Sequence, residues 1–422
     1  MSYELVIFVC MVAAFMIGCF ALKLPVGISM FLASIVGGLL GGHGIPLRHL
    51  VEGTFAYVDT ILVIAMAMIF MKVVEYSGAL DALSALIIEK FYRFPALLLC
   101  MVMLIIMFPG MITGSSSAAV LSAGYVMAPV LVSLGIPMVE AASILAMGGI
   151  LGAIAPPVNL SAMILCSGVD IPYVGFELPM ALLSFPLAFL FVLMLGYRFV
   201  KKLNYQVVKA NLNQEARKKH GFKLYIPLLT AVMLMVLNKA VPAFPDLGMP
   251  LVFLISAIIG LFTGEKINIA KAGREAVKNG LPVLAILMGV GMLIQTMTLT
   301  GVRGFIVSTC LSLPSWMLYV AMAVSIPLFG SISSFGAVSV LGVPFLLAFL
   351  SKDQVITASA ISLISLLGEM MPPTALAGLF AAQVVGVENY VTVLKKCFVP
   401  CLIIIAWGVL FILFANQIAA LI

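Results

Sequence analysis

The chain has 422 residues, of which 64% are hydrophobic and only 9% charged, with a formal net charge of +6. Ordinary soluble domains carry roughly 25% charged residues, so 22 Lys and Arg with 16 Asp and Glu cannot cover a water-facing surface of this size. A soluble enzyme, a disordered chain and a nucleic-acid-binding chain are excluded; a polytopic membrane protein remains, with room for about ten to twelve spans of ~20 residues.

The first apolar run, 4–22, follows Met1-Ser2-Tyr3-Glu4 with no basic segment before it. It reads as a transmembrane helix rather than a cleaved signal peptide. Runs at 25–41 and 56–77 read as two further crossings. Lys72 and Glu75, near the end of the third, read as snorkelling interfacial groups. Segment 79–94, with Asp81, Glu89, Lys90 and Arg93, reads as an amphipathic helix at the interface.

The run 95–134 is about twice the length of a span and is broken by Pro109-Gly110 and by Thr113-Gly114-Ser115-Ser116-Ser117. A polar tip inside a long apolar run predicts a re-entrant hairpin. Run 139–168 is interrupted by Pro156-Pro157, which should break a helix at membrane depth. Glu140 should begin its first half-helix and complement the helix dipole there. Run 174–198 completes the first half, and a polar linker follows.

The second half has crossings at 223–240, 248–263 and 280–299, then an amphipathic segment at 302–313. A second hairpin is predicted over 313–350, with its tip at Gly330-Ser331-Ile332-Ser333-Ser334-Phe335-Gly336. Run 354–385 is broken by Pro372-Pro373, and 391–421 is the last crossing.

These features recur. Gly114-Ser115 and Gly330-Ser331, Ser117 and Ser333, Gly152 and Gly368, and the two double prolines are all 216 residues apart. Leu24-Pro25-Val26 resembles Met249-Pro250-Leu251, and Ser77-Gly78 resembles Thr300-Gly301, at offsets of 223–225. The chain therefore reads as two repeats, 1–199 and 223–422, joined by a basic linker at 200–222. Each repeat holds five crossings and one hairpin, and the odd number of crossings inverts the second. Segment 198–223 carries eight basic residues and should be cytoplasmic. Counting outward from it puts 18 basic residues inside and four outside (Arg48, Lys239, Arg303, Lys352), with both termini outside.

Hairpin tips and broken helices supply free carbonyls for a cation such as Na⁺ and free N–H groups for an anion. The candidate groups are Thr113, Gly114, Ser115, Ser116, Ser117, Gly152, Pro156, Pro157, Asn159 and Ser161 in the first half. In the second they are Gly330, Ser331, Ser333, Ser334, Gly336, Gly368, Glu369, Pro372, Pro373 and Thr374. Ser115, Gly152, Ser331 and Gly368 are the candidate Na⁺ ligands. Small residues also permit close helix packing, but paired tips and paired prolines at one spacing favour a binding site. Glu369 is an intramembrane carboxylate, a functional candidate by its cost alone; it could ligate Na⁺, carry a proton or pair with Lys352. The seven cysteines lie in or beside apolar runs and read as buried soft side chains. The three histidines fall in short polar stretches, which argues against an intramembrane metalloenzyme. No resident cofactor is expected.

The ordered set Gly114-Ser115-Ser116, Gly152-Ala153-Ile154-Ala155-Pro156-Pro157 and Gly368-Glu369-Met370-Met371-Pro372-Pro373, with Leu24-Pro25-Val26-Gly27, resembles the large membrane subunit of TRAP (tripartite ATP-independent periplasmic) transporters. More broadly it resembles the ion-transporter superfamily, over nearly the whole chain. The resemblance implies an all-α elevator-type fold and Na⁺-coupled uptake of a small organic acid of dicarboxylate type across the inner membrane. It also implies two partners: a small membrane subunit and an extracytoplasmic substrate-binding protein. Where many members carry Asp after the first tip, this chain has Ala118-Ala119; Met371, rather than Thr, precedes the second double proline. A stand-alone Na⁺ or H⁺ symporter of the same fold is the nearest alternative. An ion channel is the alternative of a different class, though no ring of charges or repeated filter loop is present.

Overall fold

The structure is a computed structural model that describes residues 2–200, 215–241 and 244–422. Residues 201–214 of the basic linker lie outside the described residues, as do Met1 and 242–243.

The described residues form helices throughout. The first four are α1 (Tyr3–Met16, continued by a π turn Ile17–Ala21), α2 (Val26–Leu40), α3 (Leu47–Phe55) and α4 (Val58–Tyr76). Then come α5 (Ala79–Phe91), α6 (Pro95–Thr113), α7 (Ser116–Ser133), α8 (Met138–Ile154), α9 (Leu160–Gly168) and α10 (Glu177–Val200). After the linker follow α11 (Glu215–His220), α12 (Ile226–Ala240), α13 (Gly248–Thr263), α14 (Ile269–Leu299) and α15 (Val302–Ser312). The last are α16 (Ser315–Gly330), α17 (Ser334–Ala348), α18 (Gln354–Leu366), α19 (Leu376–Val385), α20 (Tyr390–Leu413) and α21 (Ala415–Ala419).

Among the described residues, seven helical stretches are long and apolar enough to cross a membrane, and α3 with α4 makes an eighth as a pair bent by 45°. The remaining runs expected as crossings contain shorter apolar helices, such as α2, α8 and α13. Leu229, Val232, Met233 and Val236 of α12 and Phe262 of α13 are exposed. Such a surface suits lipid, not water.

Two packing groups organise the chain. In one, α14 lies against α2, α3 and α4, and α13 against α4 and α12. At ~46 Å for 31 residues, α14 is long enough to cross at a tilt. Its glycines let backbones meet: a Cβ at Gly291 would stand 1.9 Å from the Gly53 carbonyl oxygen, and one at Gly289 2.6 Å from that of Gly27. In the other group, α6 packs on α7, α8 and α10, while α19 packs on α7 and α8, and α20 on α8 and α18. Glu140, in the first turn of α8, accepts both Arg198 of α10 at 3.2 Å and Lys396 of α20 at 3.0 Å, tying three helices together at one end. The segments read as amphipathic fold as α5 and α15, each in contact with the helix before and after or beside it.

The described end of the linker is held by charge. Arg217 pairs with Glu89 of α5 at 2.6 Å, while Lys219 and His220 both reach Glu265 in the α13–α14 loop, at 2.7 and 3.1 Å. The Lys219 ammonium holds the Glu265 carboxyl below its usual range.

Candidate functional site

The first tip forms because the chain must reverse within two residues. α6 ends at Thr113; Gly114 takes φ +62, a conformation that costs an L side chain energy, and a Cβ there would also press on Leu160 at 3.0 Å. Ser115 is extended, and its Oγ accepts the Ala118 N–H at 3.3 Å, capping α7. At the second tip Ser333 does the same for α17, accepting the Gly336 N–H at 3.1 Å. The caps are therefore 218 residues apart, not 216: Ser115 corresponds in place to Ser333 and Ser116 to Ser334. Ser331 does something else, donating to Leu328 O at 2.6 Å.

Glu369 lies in a 3₁₀ turn (Leu367–Met370) that ends α18, and is only 6% exposed. Its Oε2 accepts the Ser116 hydroxyl and its Oε1 the Ser334 hydroxyl, the latter at 2.9 Å. Those serines are the first residues of α7 and α17, so one carboxylate stands at the N-termini of helices from both tips, where negative charge is favoured. Among the described ion pairs none involves Glu369. Lys352 donates instead to Leu413 O at 2.9 Å.

A cavity of about 630 Å³ opens beside this carboxylate. Thr113, Ser115 and Ser117 of the first tip line it, with Gly330, Ser333 and Ser334 of the second, and Glu369 and Thr374. The rest of the wall includes Lys72 and Glu75 of α4, Ser122 of α7, and Lys278 and Asn279 of α14.

The other sequence candidates do not line the cavity; most are joined elsewhere. Asn159 is fully buried: its Oδ1 caps α9 through the Ala162 N–H at 3.0 Å, and its Nδ2 donates to Ser362 Oγ of α18 at 2.8 Å. Ser161 accepts from Ser365 at 3.5 Å. Thr374 donates through both N–H and Oγ1 to Ser331 O, at 3.3 and 2.7 Å, fastening the second break to the second tip. Pro156-Pro157 and Pro372-Pro373 are both cis; the first pair is half-buried and the second exposed. Gly152 and Gly368 permit close backbone contact, with Met107 O 2.5 Å and Gly330 C 2.1 Å from where their Cβ atoms would stand. At Gly336 the nearest atom is Met30 Cε at 2.8 Å. Of the four candidate Na⁺ ligands, Ser115 alone lines the cavity.

Several residues were beyond sequence reasoning. Tyr173 is half-buried, donates to Pro157 O at 3.1 Å and accepts the Asn159 N–H at 3.1 Å, so one hydroxyl satisfies both sides of the first break. Ser362, Ser365, Ser122 and Asn279 gave no sequence signal because their meaning comes from partners far away in the chain. Lys72, expected near the interface, also lines the cavity, with its side chain only 15% exposed and its amine 2.8 Å from Glu75.

Known proteins share both sequence and fold. The family model "Tripartite ATP-independent periplasmic transporter, DctM component" matches residues 12–418. The solved structure of the Alcanivorax borkumensis YdaH transporter is similar with a TM-score of 0.61 and 16% identity, over 88% of each chain. No curated protein sequence matches.

Proposed function

Since the chain belongs to the DctM component family of the tripartite ATP-independent periplasmic transporters, we propose that it couples inward movement of a cation, Na⁺, to uptake of a small organic acid. The family makes it a multi-pass permease subunit for secondary transport, not an enzyme. The coupling ion and the substrate are our reading.

Glu369 carries the argument. A carboxylate this buried, with two hydroxyl donors and no paired base among the described ion pairs, is costly unless a cation joins it or a proton neutralises it; its place between two helix N-termini favours the charged form and hence the cation. Its place between both tips, on the wall of a cavity large enough for a small acid, supports a cation seat next to a substrate seat. Hydroxyls such as Ser115 of the first tip and Thr374 of the second break would complete the cation's oxygen shell.

The two packing groups support an elevator. Helices α1–α4 and α12–α14 would stay fixed, while the hairpins and broken helices, α6–α10 and α16–α19, would move as one body. The repeats 1–199 and 223–422 would be related by inversion, with both termini extracytoplasmic. Lys72 and Lys278 then fall on the cytoplasmic side, and the cavity beside them makes this an inward-open arrangement. A small membrane subunit would extend the fixed body, and an extracytoplasmic binding protein would deliver the acid.

Ser115→Ala and Ser333→Ala remove one cap from each tip. Loss of a cap costs about 1 kcal/mol, so each variant should raise the half-saturating Na⁺ concentration by roughly three- to tenfold. Uptake into proteoliposomes at varied Na⁺ checks this. Unchanged Na⁺ dependence in both would remove the tips from the cation site.

A further inference from the structure

The cavity wall away from the tips holds a charged group that the Na⁺ reading leaves unused. Two basic side chains line the cavity, Lys72 and Lys278, against two acidic ones, Glu75 and Glu369. The lining is thus formally neutral. A cation seated on Glu369 would leave it with one positive charge in excess, which suits one carboxylate. Of the two lysines, Lys278 is exposed whereas the Lys72 side chain is 15% exposed. The Lys72 Nζ stands 2.8 Å from Glu75 Oε2 and 4.0 Å from Glu275 Oε2. The same Glu75 oxygen accepts the Ser122 hydroxyl of α7 at 3.2 Å. Glu75 would keep that bond, and contact with water, if its lysine turned away.

We propose that Lys72 receives the carboxylate of the transported acid in this inward-open arrangement, exchanging Glu75 for it. This deepens the reading above and rests on it. An ammonium has three donors on a flexible stem and can change partners without rebuilding the wall. The exchange keeps Lys72 matched, since it passes from one carboxylate to another, while Glu75 stays half-exposed to water and bonded to Ser122. It also accounts for a pair inside the cavity, where a snorkelling lysine would be useless.

The test uses the protein reconstituted in proteoliposomes with a small membrane subunit and binding protein from the same genome. Acetate, lactate, pyruvate, succinate, malate and 2-oxoglutarate are screened, and the best-transported acid becomes the probe. Lys72→Gln should raise the half-saturating concentration of that acid presented to the cytoplasmic face, read as efflux or counterflow, about tenfold or more, with the maximal rate held within about threefold. Lys72→Arg should restore most of it. Glu75→Gln, which frees the lysine, should lower the same concentration about threefold. An unchanged half-saturation in Lys72→Gln, or a raised one in Glu75→Gln, overturns the assignment. Should Lys72→Gln fail to fold, Glu75→Gln decides alone. The Na⁺ site is tested separately: if Glu369→Gln keeps wild-type Na⁺ dependence, that site fails whatever Lys72 does. If Glu369→Gln loses it while the Lys72 variants do not move, the Lys72 assignment alone fails.

Discussion

Glu369→Gln should reduce cation-driven uptake about 100-fold or more in a protein that still folds. A pair of opposite charges about 4 Å apart is worth about 4 kcal/mol at the effective dielectric of a protein site, and every ~1.4 kcal/mol is tenfold. Glu369 receives two hydrogen bonds, from Ser116 and Ser334, one from each tip. Glutamine has the same shape and can still meet both serines, because a hydroxyl accepts as well as donates. What it lacks is the negative charge that would draw a cation between the two helix N-termini. The fold should therefore persist while the coupling goes. Glu369→Asp keeps the charge but is one methylene shorter; it should retain part of the uptake with weaker Na⁺ affinity. Initial uptake rates, read beside thermal unfolding of each purified variant, separate loss of coupling from loss of fold.

The second large effect should come from a single added methyl. A Cβ at Gly368 would stand 2.1 Å from the Gly330 carbonyl carbon and 2.4 Å from its Cα. Both are backbone atoms, so no side chain can turn aside. Overpacking of this kind costs about 3 kcal/mol. The end of α18 would have to part from the end of α16, carrying Glu369 away from Ser334. Gly368→Ala should thus lower the thermal midpoint and also cut uptake about tenfold or more. Gly304→Ala is the control, since nothing lies within 4 Å of its added carbon. Equal stability for the two variants would show that the Gly330–Gly368 contact is not close in the membrane.

Local punctuation in the sequence was enough to locate the centre of the fold. Gly114-Ser115, Gly330-Ser331 and the two double prolines interrupt apolar runs too long to be single spans, and these are the places where α6, α16, α8 and α18 end. Glu369 stood out because a carboxylate is expensive at membrane depth. Ser116 and Ser334 stood out as tip residues, but their pairing with Glu369 did not, since Ser116 is 253 residues away and pairing at that distance leaves no pattern. The same holds for Tyr173, whose hydroxyl matters only because α9 begins beside it. Two charged stretches gain a role that the sequence does not show. The crossing expected at 280–299 starts earlier, at Ile269, where Asn268 caps the helix through the Lys271 N–H at 3.0 Å, so Lys271, Arg274 and Lys278 lie on its first turns. Lys72 and Glu75 close an apolar run, and the approach of α7 and α14 makes that end part of the cavity wall. Glycine was ambiguous in sequence. Gly152 and Gly368 looked like places for an ion to reach backbone, while in the structure their missing side chains admit another helix.

Cation coupling through Glu369 is tested most directly by uptake into proteoliposomes holding wild type or Glu369→Gln, with both partner proteins present. An inward Na⁺ gradient is compared with choline. Saturable, Na⁺-driven accumulation of an organic acid by wild type, absent from Glu369→Gln at equal protein content, is the expected result. Equal accumulation in Na⁺ and choline, or an undiminished Na⁺ response in Glu369→Gln, would contradict it.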